Sequence, residues 1–150
     1  QIRFGQAGIA LPTAQELLHA LPPAWVQGNA KQLHQVLSNI LENSLRYTDA
    51  PGRLSISVSL HGPAPESGQR WLELHLDDSS PSVPPAELPR IFERFYRVET
   101  SRSRASGGSG LGLAICKSIV QAHGGQLQAS ISSLGGLRLT LILPLIDPVA

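Results

Sequence analysis

Gln35-Val36-Leu37-Ser38-Asn39-Ile40-Leu41-Glu42-Asn43-Ser44-Leu45-Arg46-Tyr47-Thr48 carries two patterns at once. With Leu33 added, its apolar residues Leu33, Val36, Leu37, Ile40, Leu41 and Leu45 are spaced 3, 1, 3, 1 and 4. That spacing predicts one buried stripe of an α-helix. Asn39, Glu42, Asn43 and Arg46 recur at i, i+3, i+4 and i+7, a second, polar stripe roughly opposite the first. The helix is expected to begin after Asn29, a good N-cap residue, and to end at Asp49-Ala50-Pro51-Gly52.

Downstream the period changes from helical to two. Leu54-Ser55-Ile56-Ser57-Val58-Ser59-Leu60 alternates strictly and predicts a half-buried strand. The polar stretch from His61 to Gln69 reads as a hairpin loop, and Trp71 to Leu76 as the partner strand. A Pro- and Ser-rich break from Asp77 to Pro85 follows, then a short helical pattern from Glu87 to Tyr96. Leu111 to His123 predicts a second long helix, with Leu111, Ala114, Ile115, Ser118, Ile119 and Ala122 on one face and Gly124-Gly125 as its C-cap. Leu127 to Ile131 and Leu137 to Leu143 read as strands joined through Gly135-Gly136, with Pro144 closing the last. Upstream, Gly8-Ile9-Ala10-Leu11 reads as an edge strand and Thr13-Ala14-Gln15-Glu16 as a capping box. Pro22-Pro23 stops any helix there, and Trp25-Val26-Gln27 reads as another short strand. Helices able to cover only one face, plus hairpin-linked strands, predict an α+β fold, a two-layer sandwich.

The 150 residues suit one domain, and 41% hydrophobic with 15% charged residues excludes a disordered acidic tail. Twelve Lys and Arg against eleven Asp and Glu give a net charge of +1, which argues against a general nucleic-acid binder. With one cysteine, Cys116, neither an internal disulfide nor a CxxC motif is possible, in keeping with a reducing compartment. No apolar run reaches the roughly 20 residues a bilayer span needs, and no signal peptide opens the sequence.

Four stretches can carry chemistry. The amides, carboxylate and guanidinium of Asn39, Glu42, Asn43 and Arg46 can hold a hydrated magnesium ion and the phosphates it bridges, or can form a solvated outer face. Asp77-Asp78, at a strand terminus, offers a carboxylate to an exocyclic amine such as that of adenine, or makes an Asx turn or a helix N-cap. Gly107-Gly108-Ser109-Gly110-Leu111-Gly112-Leu113 opens the second helix, where backbone N–H groups can approach an anion; a flexible linker is the other reading. A helical glycine costs roughly 1 kcal/mol relative to alanine, so Gly112 points to close approach or packing. Neither GxGxxG nor a Gly-Lys pair is present, which excludes a Rossmann fingerprint and a P-loop. Arg90, Arg94, Arg97, Arg102 and Arg104 fall on a long segment suited to a phosphate-facing lid or to a soluble surface loop. The five histidines lie at least 14 positions apart, so no local metal pair exists, and Cys116 is expected to face packing neighbours.

Taken together, these segments resemble the catalytic ATP-binding domain of sensor histidine kinases, nearest to the envelope-stress branch, within the wider superfamily of gyrase-type ATPases. Four family boxes stand in the family's order over about residues 25–145. Gln35 to Thr48 matches the N box, and Asp78-Ser79-Ser80-Pro81-Ser82-Val83 stands at the first glycine box. Ile91-Phe92-Glu93-Arg94-Phe95-Tyr96-Arg97 matches the F box, and Gly108-Ser109-Gly110-Leu111-Gly112-Leu113-Ala114-Ile115 the second glycine box. The resemblance implies a Bergerat fold: a mixed, mostly antiparallel sheet covered on one face by helices, with a mobile lid over ATP. It makes Asn43 the Mg²⁺ ligand, Asn39 and Arg46 phosphate contacts, and Tyr47 a packing neighbour of the nucleotide. Asp78 accepts from the adenine amino group, with Ser82 and Val83 beside it. Arg97 lies near the phosphates, and Gly108, Gly110, Leu111 and Gly112 supply backbone contacts. Glu42 polarises the attacking histidine.

The implied partners are a histidine-bearing dimerisation domain of the same kinase and a response regulator. None of the five histidines here has a phosphoacceptor context, so the dimerisation, sensor and transmembrane segments are expected to lie outside this sequence. The domain alone is then a monomer on the cytoplasmic side of an inner-membrane parent. Ser80 and Ser82 replace both glycines of the usual Asp-x-Gly-x-Gly. That departure keeps open a degenerate nucleotide-sensing or protein-docking module without kinase turnover.

Overall fold

The computed structural model describes residues 9–10, 24–48, 52–79, 84–93 and 112–146. They form helices α1 (Ala30–Tyr47) and α2 (Gly112–Ala122), a 3₁₀ helix (Pro85–Arg90), and strands β1 (Ile9–Ala10), β2 (Gly52–His61), β3 (Arg70–Asp78), β4 (Gln126–Ile131) and β5 (Leu137–Leu145). The Thr13–Glu16 capping box, Ser82, Val83, Arg97, Gly108, Gly110, Leu111 and the expected lid lie outside the described residues, as do the side chains of Arg46 and Tyr47.

α1 starts where expected: the Asn29 side chain accepts a 3.0 Å hydrogen bond from the Gln32 amide. Its buried face differs from the predicted one. Val36, Ile40, Ser44 and Thr48, each four residues apart, are 0–1% exposed, whereas Leu37 is 37% exposed. Thr48 fits this row because its hydroxyl donates to the Ser44 carbonyl at 2.6 Å and so is not left idle. The row is rotated toward the amide side of the helix. Asn39 and Asn43 are therefore half-buried on its flank, and Glu42 is exposed.

The sheet order is β1-β2-β3-β5-β4, with β1 parallel to β2 and the other pairs antiparallel. Side chains alternate between faces, so the registers give continuous rows. Ile56, Leu76, Leu139 and Ala129 form one row, and Val58, Leu74, Leu141 and Leu127 the next. Val36, Ile40, Cys116 and Val120 of the helices pack on the same face in one core. Each fully buried aliphatic side chain contributes about 1.5–3 kcal/mol there. The opposite face carries Ser57, Glu73, His75, Asp77, Arg138 and Thr140. The α+β sandwich with a mixed, mostly antiparallel sheet is thus the observed architecture.

α2 runs antiparallel to α1. The His123 Nε2 accepts from the Asn29 amide at 3.0 Å at one end, and the Cys116 Sγ lies 3.8 Å from the Val36 carbonyl oxygen in the middle. Because Nε2 accepts, Nδ1 carries the proton and donates to the Ile119 carbonyl at 2.8 Å. His123 is a packing histidine, as expected. The inner face of α2 is Ala114, Cys116 and Val120 with Leu113 and Ile119 beside them. Ile115, expected inside, is 40% exposed. The Gly125 amide donates to the Val120 carbonyl, closing the C-cap that Gly124-Gly125 predicts.

Three boundaries move. Trp25-Val26-Gln27 is not a strand; the Trp25 carbonyl only accepts from the Ile146 amide at 2.8 Å. β5 continues through Pro144 to Leu145. The last β4 partner is Gln126, opposite Ile142, so the missing N–H of Pro144 falls beyond the β4 ladder and costs no bond. The pattern beginning at Glu87 is a 3₁₀ turn over Pro85–Arg90, whose end is held by buried Ile91 and by Lys117 Nζ lying 5.1 Å from the Phe92 ring centroid.

Candidate functional site

One end of the sandwich gathers the chemistry. Gly125, at the C-terminal end of α2, lies against Ile142 and Leu143 near the end of β5. The eleven residues of α2 span about 16 Å, so Gly112 at its start points back toward the beginning of β5. β5 begins at Leu137, whose amide donates to the Asp78 carboxylate at the end of β3. Since α1 is antiparallel to α2, its C-terminal half, with Asn43, runs beside this same helix start. The end of β3, the N-terminus of α2 and the amide flank of α1 are thereby brought together.

Asp78 is the decisive side chain. β3 extends two residues further than its alternation predicts, which places Asp78 opposite Leu54 on the apolar face. It is 3% exposed. Its Oδ1 accepts from the Leu137 amide at 2.9 Å, while Oδ2 has no hydrogen-bond donor among the described residues. Burial, partly opposed by that amide and reinforced by the neighbouring Asp77 charge, pushes its pKa up to about 6. These bonds replace the Asx-turn and N-cap readings. Among the described residues nothing fills that lone pair, which leaves it open to a donor such as a ligand amine.

Asn39 and Asn43 flank the α1 core row one turn apart. The Asn39 side chain lies beside the Cys116 thiol and favours its ionised form, while that thiol contacts the Val36 carbonyl and ties α1 to α2 one turn inside the helix start. Burial still pushes that thiol up to about 11, so Cys116 is inert packing material. Asn43 sits one turn nearer the open end, and Glu42 faces solvent. No group of three His, Cys, Asp or Glu able to hold a metal ion exists among the described residues. An amide oxygen such as that of Asn43 suits a cation carried in largely by phosphate oxygens.

Gly112 is exposed, and a Cβ there would meet nothing within 4 Å. Packing therefore does not explain this glycine, and the space beside the α2 N-terminus is open to a ligand. Gly112→Ala is expected to leave thermal stability unchanged or slightly raised while weakening nucleotide affinity about tenfold. Calorimetric titration and a melting curve on one sample check both, and unaltered affinity would show that no anion passes there.

The pattern reading placed the β4–β5 turn but missed its contact with Asp78. The Gly136 amide donates to the Asp78 carbonyl, and the Leu137 amide to its side chain. Gly135-Gly136 was a signal for a hairpin, with nothing to show that this hairpin closes on Asp78.

Fold and site define a nucleotide-binding α+β sandwich. Residues 28–147 match the family described as histidine kinase-, DNA gyrase B-, and HSP90-like ATPase, and the chain belongs to that family. It is 47% identical over 146 residues to the signal transduction histidine-protein kinase BaeS of Escherichia coli strain K12, covering 95% of this chain and 28% of BaeS. Among solved structures it is similar to the mycobacterial sensor histidine kinase MprB, with TM-score 0.63 and 31% identity over 82% of this chain and 76% of MprB. It is also similar to the ATP binding domain of PrrB from Mycobacterium tuberculosis, with TM-score 0.60 and 26% identity over 96% and 84% of the two chains. The chain spans about a quarter of the length of the curated relatives it matches.

Proposed function

We propose that this chain is the ATP-binding catalytic unit of a two-component sensor histidine kinase, transferring the γ-phosphate of ATP to a histidine on a dimerisation domain for relay to a response regulator. The observation that carries the proposal is Asp78, buried at the sheet end with one oxygen unclaimed among the described residues. Adenine presents an exocyclic amine to such an oxygen and guanine a carbonyl, so this carboxylate favours ATP over GTP. The names of the relatives supply the reaction class: BaeS, MprB and others are sensor kinases, and the similar ShkA is a complex with AMPPNP.

In this reading each element has one task. Asp78 reads the base. The first turn of α2 from Gly112, with Gly108, Gly110 and Leu111 before it, offers backbone N–H groups to the phosphates. Asn39, Arg46 and Arg97 contact the phosphates, Tyr47 packs on the nucleotide, and Ser82 and Val83 border the base. Asn43 supplies an amide oxygen to Mg²⁺, which neutralises phosphate charge when bound. Glu42, exposed one residue before it, orients the incoming histidine. Catalysis is then positioning plus charge neutralisation, with the nucleophile brought in line by the dimerisation domain. The parent is an inner-membrane sensor with this domain, itself monomeric, on the cytoplasmic side. No helix among the described residues is long and apolar enough to cross a membrane.

Titration calorimetry with AMPPNP tests the reading. Mg²⁺-dependent binding that a GTP analogue does not compete is the expected result. Absence of binding at millimolar nucleotide would overturn it in favour of a docking module. Labelled ATP with the family's dimerisation domain then tests transfer, and a domain that binds well but labels no histidine is not a kinase.

A further inference from the structure

On the face of the sheet opposite the core, Asp77 is almost as buried as Asp78, at 4% exposure. Its Oδ1 accepts from the Ser132 hydroxyl at 2.8 Å and from Arg138 Nε at 2.8 Å, and its Oδ2 accepts from Arg138 Nη2 at 3.2 Å. Ser132 begins the β4–β5 turn and Arg138 follows it, so one carboxylate grips both ends of that turn. The Ser132 hydroxyl accepts in addition from the Leu134 amide at 3.1 Å, shaping the turn from inside. Across the backbone, the same turn delivers the Gly136 and Leu137 amides to Asp78. Gly135 completes the approach: its φ is +103°, and a Cβ there would lie 2.8 Å from the Ser79 carbonyl oxygen. Only glycine lets the turn close on the residue after Asp78.

We infer that Asp77, Ser132 and Arg138 form a positioning clamp for Asp78, holding the β4–β5 turn so that one Asp78 oxygen is occupied and the other is left for the ligand. The inference rests on the nucleotide-binding reading for its consequence, although the coupling itself is a property of the free chain. Adjacent strand residues point to opposite faces, so Asp77 touches no ligand; it acts through the turn and through its charge. The charged groups facing this end are Asp77 on β3, Arg138 on β5 and Arg53 on β2, whose amide bonds the Ser79 hydroxyl. The Asp77 charge disfavours ionisation of Asp78, and the Arg138 guanidinium offsets that charge.

Removing either partner therefore moves Asp78 in opposite directions, which loss of packing alone would not do. Carboxyl-detected NMR titration of the nucleotide-free chain reads this directly. Asp77→Asn keeps an acceptor for Ser132 and Arg138 but loses the charge, and is expected to lower the Asp78 midpoint by about half a pH unit or more. Arg138→Gln leaves the Asp77 charge uncompensated and is expected to raise it by a similar amount. The double variant Asp77→Leu/Arg138→Leu removes the pair without leaving a buried charge alone, which guards against a folding failure of the single variants. It is expected to fold yet to bind AMPPNP at least tenfold more weakly at pH 8, with reduced preference over the GTP analogue. Unmoved Asp78 midpoints in both single variants, or a folded double variant with parental affinity and preference, would overturn the clamp. If the parent binds neither nucleotide, the function proposed above fails, while opposite midpoint shifts would still uphold the clamp.

Discussion

Asp78→Asn is expected to remove adenine-nucleotide binding while making the nucleotide-free domain relatively more stable as pH rises. The two effects share one cause. A carboxylate at 3% exposure, with one oxygen lacking a donor among the described residues, is costly in its ionised form. Its pKa of about 6 lies above the ordinary 3.8, so the fold favours the protonated acid. The sign follows directly: stability from this group is full below pH 3.8 and is lost as pH rises through about 6. The interval between those values corresponds to about 3 kcal/mol. Asparagine cannot ionise, yet its oxygen can still accept from the Leu137 amide. The stability of Asp78→Asn relative to the parent should therefore increase by about 2–3 kcal/mol between pH 4 and pH 8. Its –NH₂ group then faces the adenine amine donor to donor, and affinity falls at least about 100-fold. Denaturant melts at pH 4, 6 and 8 with a nucleotide titration at pH 8 check both halves. A pH-independent stability difference would show that Asp78 ionises freely, and retained binding would show that it does not read the base.

Glu73, on the other face, titrates with the opposite sign. Its hydrogen bond to His75 at 2.5 Å, aided by the nearby His61 at 3.1 Å, holds its carboxyl below the ordinary range. Its contribution is present above the ordinary carboxylate pKa and is lost as pH falls through the lowered value. The parent's acid limb therefore mixes a group that weakens the fold with one that strengthens it. Only the difference between parent and Asp78→Asn isolates Asp78.

The elements of this fold were legible because their periods are clean: Leu54 to Leu60 alternates without a break, and Asn29 caps the helix it precedes. The faces were less so. Ser44 and Thr48 are among the most buried of the described residues, and no hydrophobicity pattern points to them; the Thr48 hydroxyl is satisfied locally by the Ser44 carbonyl. Counting leucines instead rotated the α1 stripe toward the exposed Leu37, and the same error put Ile115 inside α2. At the site, four boxes in order pointed to Asp78 and Asn43 as candidates, but not to how Asp78 is held. That depends on strand register, which sets Asp77 opposite Arg138 across 61 residues of sequence. Such pairs exist only once β3 and β5 are neighbours.

Asn43→Ala is expected to act at the other end of the nucleotide, and only when the cation is present. Asn43 lies on the flank of α1, outside the buried Val36–Thr48 row, so truncation opens no core cavity. Alanine is also the better helix former by about 0.5 kcal/mol, and melting should move little. What disappears is a neutral oxygen ligand. On the proposed reading that ligand carries no charge, so it adds little affinity for free Mg²⁺ and acts on an ion that the phosphates bring. AMPPNP affinity without Mg²⁺ should thus match the parent, while the increase on adding Mg²⁺ should fall about 100-fold, equivalent to about 2.8 kcal/mol. Asp78→Asn should weaken binding equally with and without the ion. The two sites share no partner, so their effects should add in the double variant within about 0.5 kcal/mol. Asn39→Ala serves as the comparison, since Asn39 is half-buried beside the Cys116 thiol at the α1–α2 contact and its loss should lower stability as well as affinity. Titrations with and without Mg²⁺ on these variants separate ion coordination from base reading. An Asn43→Ala protein that keeps its full Mg²⁺ enhancement would place the cation elsewhere.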